Sequence, residues 1–199
     1  SMARATPPGC PIIVLPELPP GPGYLHSGWC TGAFADLIAS KAGMDEPPIT
    51  LDINGGSGPV DITGWPEKLP FRDESFDCIT SFYFLRRFDD DVCRAFAEEI
   101  SRILAPGGSA LFLEFAPVRS DLLNRLHTRL LGFGCAEVDL RGWGRLAALY
   151  TEVGFDAINL VNVGPFLVPP LPRVGVLVRK AEAPPAGNQE PIRDSGDPG

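Results

Sequence analysis

Between residues 24 and 182, short apolar runs alternate with stretches whose apolar residues recur every three or four positions. Residues 33–42 place Phe34, Leu37 and Ile38 on one helical face. Residues 90–104 do the same with Val92, Phe96, Ile100 and Ile103. Residues 120–131 and 144–153 also carry helical spacing, the second closed by Gly154. Residues 49–53, 76–82, 110–115, 157–163 and 174–178 are short and nearly continuously apolar, the pattern of buried strands. Such alternation predicts an α/β domain with a mostly parallel sheet covered by helices. Pro106 stops the helix before it. Gly107 and Gly108 allow the tight turn that drops the chain into the next strand.

The ends read differently. Residues 1–23 are rich in Pro and Gly around one apolar island, Ile12 to Leu15, and cannot form a helix. An arm packed on the domain is expected there. Residues 183–199 are mostly Pro, Gly and polar residues, too poor in apolar side chains to order themselves, and a disordered tail is expected. The ordered domain is then 24–182. The opening Ser1-Met2 reads as a cloning remnant, so the natural start is expected to differ.

Composition narrows the function. The chain has 17 Lys and Arg against 25 Asp and Glu, a formal net charge of −8. Phosphate backbones need a basic face, so nucleic acid is not the expected partner. The five cysteines are scattered without a C-x-x-C pair, which suggests neither a zinc site nor a disulfide framework. No metal is expected. No apolar run approaches the roughly 20 residues needed to span a bilayer, and no signal-peptide pattern opens the chain. A cytoplasmic location without membrane association is the expectation.

Three motifs follow one another: LPFRDESFD (69–77), ISRILAPGGSALFLEF (100–115) and LYTEVGFDAINL (149–160). In this order and spacing the chain resembles the class I S-adenosylmethionine (SAM) methyltransferases of the ubiquinone/menaquinone-biosynthesis and small-molecule type. In that family LPF…FD enters the fourth strand and R-x-L-x-P-G-G enters the fifth. The segments LEF at 113–115 and FLRRF at 84–88 are similar to the quinone subgroup. The resemblance covers roughly residues 24–180. It implies a Rossmann-like fold with an antiparallel last strand, here a compact variant without N-terminal lid helices, and SAM as cofactor. Asp77 is then expected near the ligand crevice at the strand mouth, or else as a turn cap.

Two placements of the cofactor loop compete. In the first, YLHSGWCTGAF (24–34) stands for the first strand and its glycine turn. Gly28 and Gly32 match the family, Cys30 replaces the middle glycine, and His26 stands where the family has an acid. Asp52 then ends the second strand about twenty residues further on, as a ribose-binding acid does. In the second, LDINGGSG (51–58) is itself the loop, but too few residues then remain before Leu69 for a helix and two strands. The first is favoured, at the cost of a nearly deleted second helix. On it, the cofactor contacts implied by the resemblance are His26, Gly28, Cys30, Gly32, Asp52, Ile53, Trp65 and Ser81, with Trp65 replacing the family's Asp. Cys30 brings a side chain where the family presents none. His26 cannot reproduce a carboxylate's acceptor role.

On the acceptor side, Tyr83 and His127 are weak candidate catalytic residues; Tyr83 is equally readable as packing, and His127 more readily as a surface or packing residue. Arg86 and Arg87 either hold an anionic substrate or form a solvated pair beside Asp89 to Asp91. The apolar stretch 164–172 is a candidate cover or interface, so a homodimer or a partner protein is possible. The leading expectation is methyl transfer to a small, aromatic or polyketide-like molecule. The alternative is a methyltransferase-fold protein that transfers no methyl group and acts as a binding or scaffold domain or as a cyclase. A nucleic-acid methyltransferase is a distant third.

Overall fold

The computed structural model describes residues 23–28, 33–43, 48–52, 61–131, 138–166 and 171–182. Seven strands form one sheet in the order β3-β2-β1-β4-β5-β7-β6. They are β1 (Tyr24–Gly28), β2 (Ile49–Asp52), β3 (Ile62–Thr63), β4 (Phe76–Phe82), β5 (Leu104–Phe115), β6 (Ala157–Phe166) and β7 (Leu171–Arg179). The helices are α1 (Ala33–Ala42), α2 (Asp90–Ile103), α3 (Asp121–Leu131) and α4 (Trp143–Val153), with one 3₁₀ turn at Leu85–Arg87. The first five strands pair in parallel, and β7 runs antiparallel to both β5 and β6. This is the expected α/β architecture with its antiparallel last strand.

Alternation along the strands divides the core into two faces. Leu25, Ile79, Ala110 and Phe112 point to one face, under Phe96 and Ile100 of α2 and Leu146 and Tyr150 of α4. Tyr24, Cys78, Leu111 and Leu113 point to the other, under Ile38 and Ala39 of α1 and Leu131 of α3. The amphipathic α2 is the clearest case of sequence dictating an element. Asp89 caps it, accepting the Val92 N–H at 2.9 Å, and Asp90 and Asp91 complement the positive end of its dipole. Near its end Arg102 donates to Glu99, Asp73 and the Leu69 and Phe71 carbonyls. That explains why an arginine in this helix accompanies the LPF segment: one guanidinium anchors the loop leading into β4.

Three details refine the expectation. Leu37 is 39% exposed, because α1 turns Ala35, Ile38 and Ala39 inward instead. Strand β5 begins at Leu104, so Pro106 to Gly108 lie within the strand's first turn-like stretch; Gly107 has φ +76° and donates to the Lys180 and Ala181 carbonyls. Asp77 lies at the amino end of β4, where its carboxylate accepts the Gly23 N–H at 3.3 Å. It caps the turn into β1, the second of its two expected roles, at the opposite end of the strand from the carboxyl-end crevice. The arm 1–22 and the tail 183–199 fall outside the described residues.

Strand order places the site. The chain runs outward from β1 through β2 to β3, then returns to start β4 on the other side of β1 and moves on to β5. The order therefore reverses between β1 and β4, and open α/β sheets bind ligands in the crevice at the carboxyl ends of such a pair.

Candidate functional site

Strand β1 ends at Gly28, in register with Phe82 of β4. Gly28 has φ +114°, and a Cβ built there would meet the Phe82 carbonyl oxygen at 2.2 Å. Two independent constraints thus demand glycine: the backbone angle and the close approach of the neighbouring strand. The next described element is α1, the order that the first of the two loop placements requires. Cys30, Gly32 and Ile53 lie outside the described residues.

One strand over, Asp52 ends β2 with its side chain 7% exposed, and Nη1 of Arg87 stands 3.6 Å from its Oδ1. The Asp52 carbonyl accepts the Gly64 N–H at 3.2 Å, tying the end of β3 to the same point. Trp65 follows directly and is 68% exposed. The structure therefore gathers Gly28, Asp52 and Trp65 at the carboxyl ends of adjacent strands.

His26 and Ser81 lie deeper. His26 has no exposed surface. Its Nδ1 is 2.6 Å from the Thr80 hydroxyl and its ring meets Phe82 edge-on at 5.3 Å. Burial pushes its pKa down to about 3, so the imidazole is neutral under ordinary conditions. Ser81 faces the opposite side of the sheet and pairs in register with Ser27. Both serines are buried, and neither hydroxyl has a hydrogen-bond partner among the described residues. Ser27 was not singled out by sequence. The register that sets it opposite Ser81 is invisible until the strands are paired.

The turn after β4 carries the remaining candidates. Tyr83 adopts φ +55°, unusual for a residue with a side chain. Its ring stacks on Phe115 at the end of β5, centroids 4.2 Å apart. Arg86 is not a solvated side chain. It is 8% exposed, donates to the Tyr83 and Leu131 carbonyls, and lies 5.9 Å over the Phe115 ring. His127 is buried on α3, and neither ring nitrogen has a partner among the described residues. Arg86 links the two regions, since Leu131 lies one helical turn beyond His127.

Two buried ionisable side chains hold this turn in place. Oε1 of Glu114, on β5, accepts the Leu85 N–H at 2.8 Å. Arg141 donates to the Leu85 carbonyl at 2.9 Å, the Phe88 carbonyl at 2.6 Å and the Asp90 carboxylate at 2.8 Å. Both sides of Leu85 are thus gripped from elements distant in sequence. Burial raises the Glu114 pKa to about 7, against the lowering pull of the Leu85 N–H, Arg86 and Arg141.

A glycine at the end of β1, an acid at the end of β2 and a strand-order reversal beside them are features of the Rossmann-like class of α/β domains. Comparison with known proteins narrows this. Residues 25–112 match the family model described as a methyltransferase domain. The chain is 31% identical over 125 residues to the ubiquinone/menaquinone biosynthesis C-methyltransferase UbiE of Xanthomonas campestris, covering 55% of this chain and 49% of that protein. It is 40% identical over 99 residues to UbiE of Pseudomonas aeruginosa, covering 47% of this chain and 36% of that protein. The chain thus spans about half or less of the length of these curated relatives. Among solved structures, the YcgJ protein of Bacillus subtilis has the same fold, with a TM-score of 0.61 at 16% identity over 84% of this chain and 95% of that one. Human N-acetylserotonin methyltransferase in complex with SAM matches with a TM-score of 0.63 at 20% identity, over 80% of this chain and 48% of that one. Residues 25–112 thus match a methyltransferase domain, and these similarities support a class I SAM-dependent methyltransferase family.

Proposed function

We propose that this protein binds SAM and transfers its methyl group to a small, flat, aromatic acceptor. The observation that carries the reading is the juxtaposition of Gly28 at φ +114° with the Asp52 carboxylate on the adjoining strand end. The residues present fit an adenosyl group. Asp52 supplies acceptors for the two ribose hydroxyls, Trp65 an aromatic plane for adenine, and the buried hydroxyls of Ser27 and Ser81, without a partner among the described residues, further polar contacts. His26 does not fit a cationic group, because it is enclosed and neutral; in this reading it packs beneath the site.

Bound SAM would supply an already activated methyl group. The protein's work is then to align the acceptor with that methyl and exclude water. The buried Tyr83 and Phe115 rings stack at the ends of β4 and β5, with the Arg86 guanidinium over Phe115, and brace the acceptor side of the sheet. His127, buried on α3 without a partner among the described residues, is the candidate to take a proton from the acceptor. The names of the UbiE relatives support an acceptor of quinone-like chemistry.

Titration calorimetry with SAM and with S-adenosylhomocysteine tests the reading. Micromolar binding by the native protein, reduced at least about 30-fold by Asp52→Ala, is expected, because two hydrogen bonds to a charged acceptor are lost. The absence of heat at millimolar ligand would favour the other reading, a methyltransferase-fold domain without transfer, either a binding or scaffold domain or a cyclase. That reading draws on His26 in the acid's place and on Arg87 beside Asp52.

A further inference from the structure

Arg87 stands where a ribose would be received. Its Nη1 lies 3.6 Å from Asp52 Oδ1, its side chain is 22% exposed, and the carboxylate it faces is 7% exposed. The arginine does not arrive there by a flexible excursion. It belongs to the 3₁₀ turn Leu85–Arg87, whose backbone is fixed on one side by Glu114 and on the other by Arg141 and by the Sγ of Cys93, which lies 3.5 Å from the Leu85 carbonyl. Its own N–H donates to the Phe84 carbonyl. The next residue, Phe88, packs against the core that holds Phe84 and Phe96. The sequence supplies this arginine three positions before the Asp90 that begins α2, so the cap of that helix and the guanidinium beside Asp52 belong to one rigid corner.

A carboxylate that binds a diol accepts a hydrogen bond at each of its oxygens. A guanidinium at one of those oxygens competes with the hydroxyls for the same lone pairs, and in a largely buried setting the competition is little screened by solvent. We propose that Arg87 acts as a competing cation at the ribose site: its pair with Asp52 must loosen before a nucleoside diol can seat, and the arginine thereby lowers cofactor affinity. This inference rests on Asp52 being the ribose acid. It adds a residue that tunes affinity through that acid. The pair also offsets the cost of a buried carboxylate while no ligand is bound. The arginine therefore stabilises the free protein and weakens the complex by the same contact.

The test is a double-mutant cycle read by calorimetry, with S-adenosylhomocysteine as the probe because it lacks the sulfonium charge. The proteins are the native chain, Arg87→Gln, Asp52→Asn and the double variant, with Arg87→Lys as the charge-retaining control. The inference predicts that Arg87→Gln binds about five- to tenfold more tightly than the native protein, the scale of one partly buried ion pair. Arg87→Lys should fall between the two, and Arg87→Gln should have no effect in the Asp52→Asn background. The same variants should melt as a single transition, with Arg87→Gln slightly less stable without ligand. Native binding that is unchanged or weakened in Arg87→Gln would overturn the inference and leave the cofactor reading standing. An equal gain in the Asp52→Asn background would also overturn it, since the effect would not pass through the carboxylate. Native and Arg87→Gln proteins that both fail to bind at millimolar probe would remove the cofactor reading and the inference with it.

Discussion

Gly28→Ala is expected to destabilise the protein by roughly 3–5 kcal/mol, from backbone strain and overpacking acting together. An alanine at φ +114° leaves the regions open to side-chain-bearing residues. Its Cβ would also lie 2.2 Å from the Phe82 carbonyl oxygen, an atom of the central strand that cannot move without disturbing β4. The two costs can be separated. Gly43 follows α1 at φ +68°, and a Cβ there meets nothing within 4 Å, so Gly43→Ala carries the conformational penalty alone, about 1 kcal/mol. In a domain of this size the difference between the variants corresponds to a drop in Tm of about 10 °C, readable in a thermal melt followed by circular dichroism. Equal losses for the two variants would show that β1 and β4 do not approach as closely as the register requires.

The second large effect concerns Glu114 and pH. Its pKa rises from an ordinary 4.5 to about 7 in the folded protein because burial disfavours the charged form. In that window the folded state holds a proton that the unfolded state has released. Stability from this group is therefore full below about pH 4.5 and declines as pH rises toward 7, by on the order of 3 kcal/mol. The charged and titratable neighbours are Arg86, Arg141, Tyr150 and Cys93. His26 works in the opposite sense. Its pKa is pushed down to about 3 by burial, so it withdraws stability as pH falls below the usual 6.5. The two slopes oppose each other between pH 4.5 and 6.5, and the native protein alone would conceal both. Glu114→Gln keeps an acceptor for the Leu85 N–H and removes the titration. Measured by urea denaturation, this variant should gain on the native protein by about 3 kcal/mol between pH 4.5 and 7.5, because the His26 contribution cancels in the difference. A difference that does not change with pH would show that Glu114 ionises normally in the fold.

The legible and illegible parts of this molecule divide along one physical line. Helix α2 announced itself because its buried Phe96 and Ile100 and its capping Asp89 act within one or two turns of each other. Gly28 and Asp52 were legible because the turn and the strand end that need them are local, and their spacing leaves room for one helix. The illegible parts involve residues whose surroundings come from elsewhere in the chain. For Arg86 and Arg87 the sequence leaves a solvated pair or a hold on an anionic substrate open; only the tertiary fold brings Leu131 to one and Asp52 to the other. Glu114 sat unremarked in a motif, because a carboxyl group at the end of a strand becomes unusual only when the Leu85 turn closes over it. Of the two readings the sequence leaves open for Asp77, the turn cap holds, because the glycine before β1 donates to its carboxylate. His26 was legible as a departure from the family pattern, but its partner Thr80 was not.

The most direct test is a crystal structure of the protein grown with S-adenosylhomocysteine. The predicted result places the nucleoside across the carboxyl ends of β1 and β2, its two ribose hydroxyls on the Asp52 carboxylate, its adenine against Trp65, and the Arg87 guanidinium displaced from Asp52. Density for the nucleoside at any other place on the sheet, or an Asp52–Arg87 pair that stays closed over a crevice filled by the protein's own side chains at saturating ligand, would contradict the account.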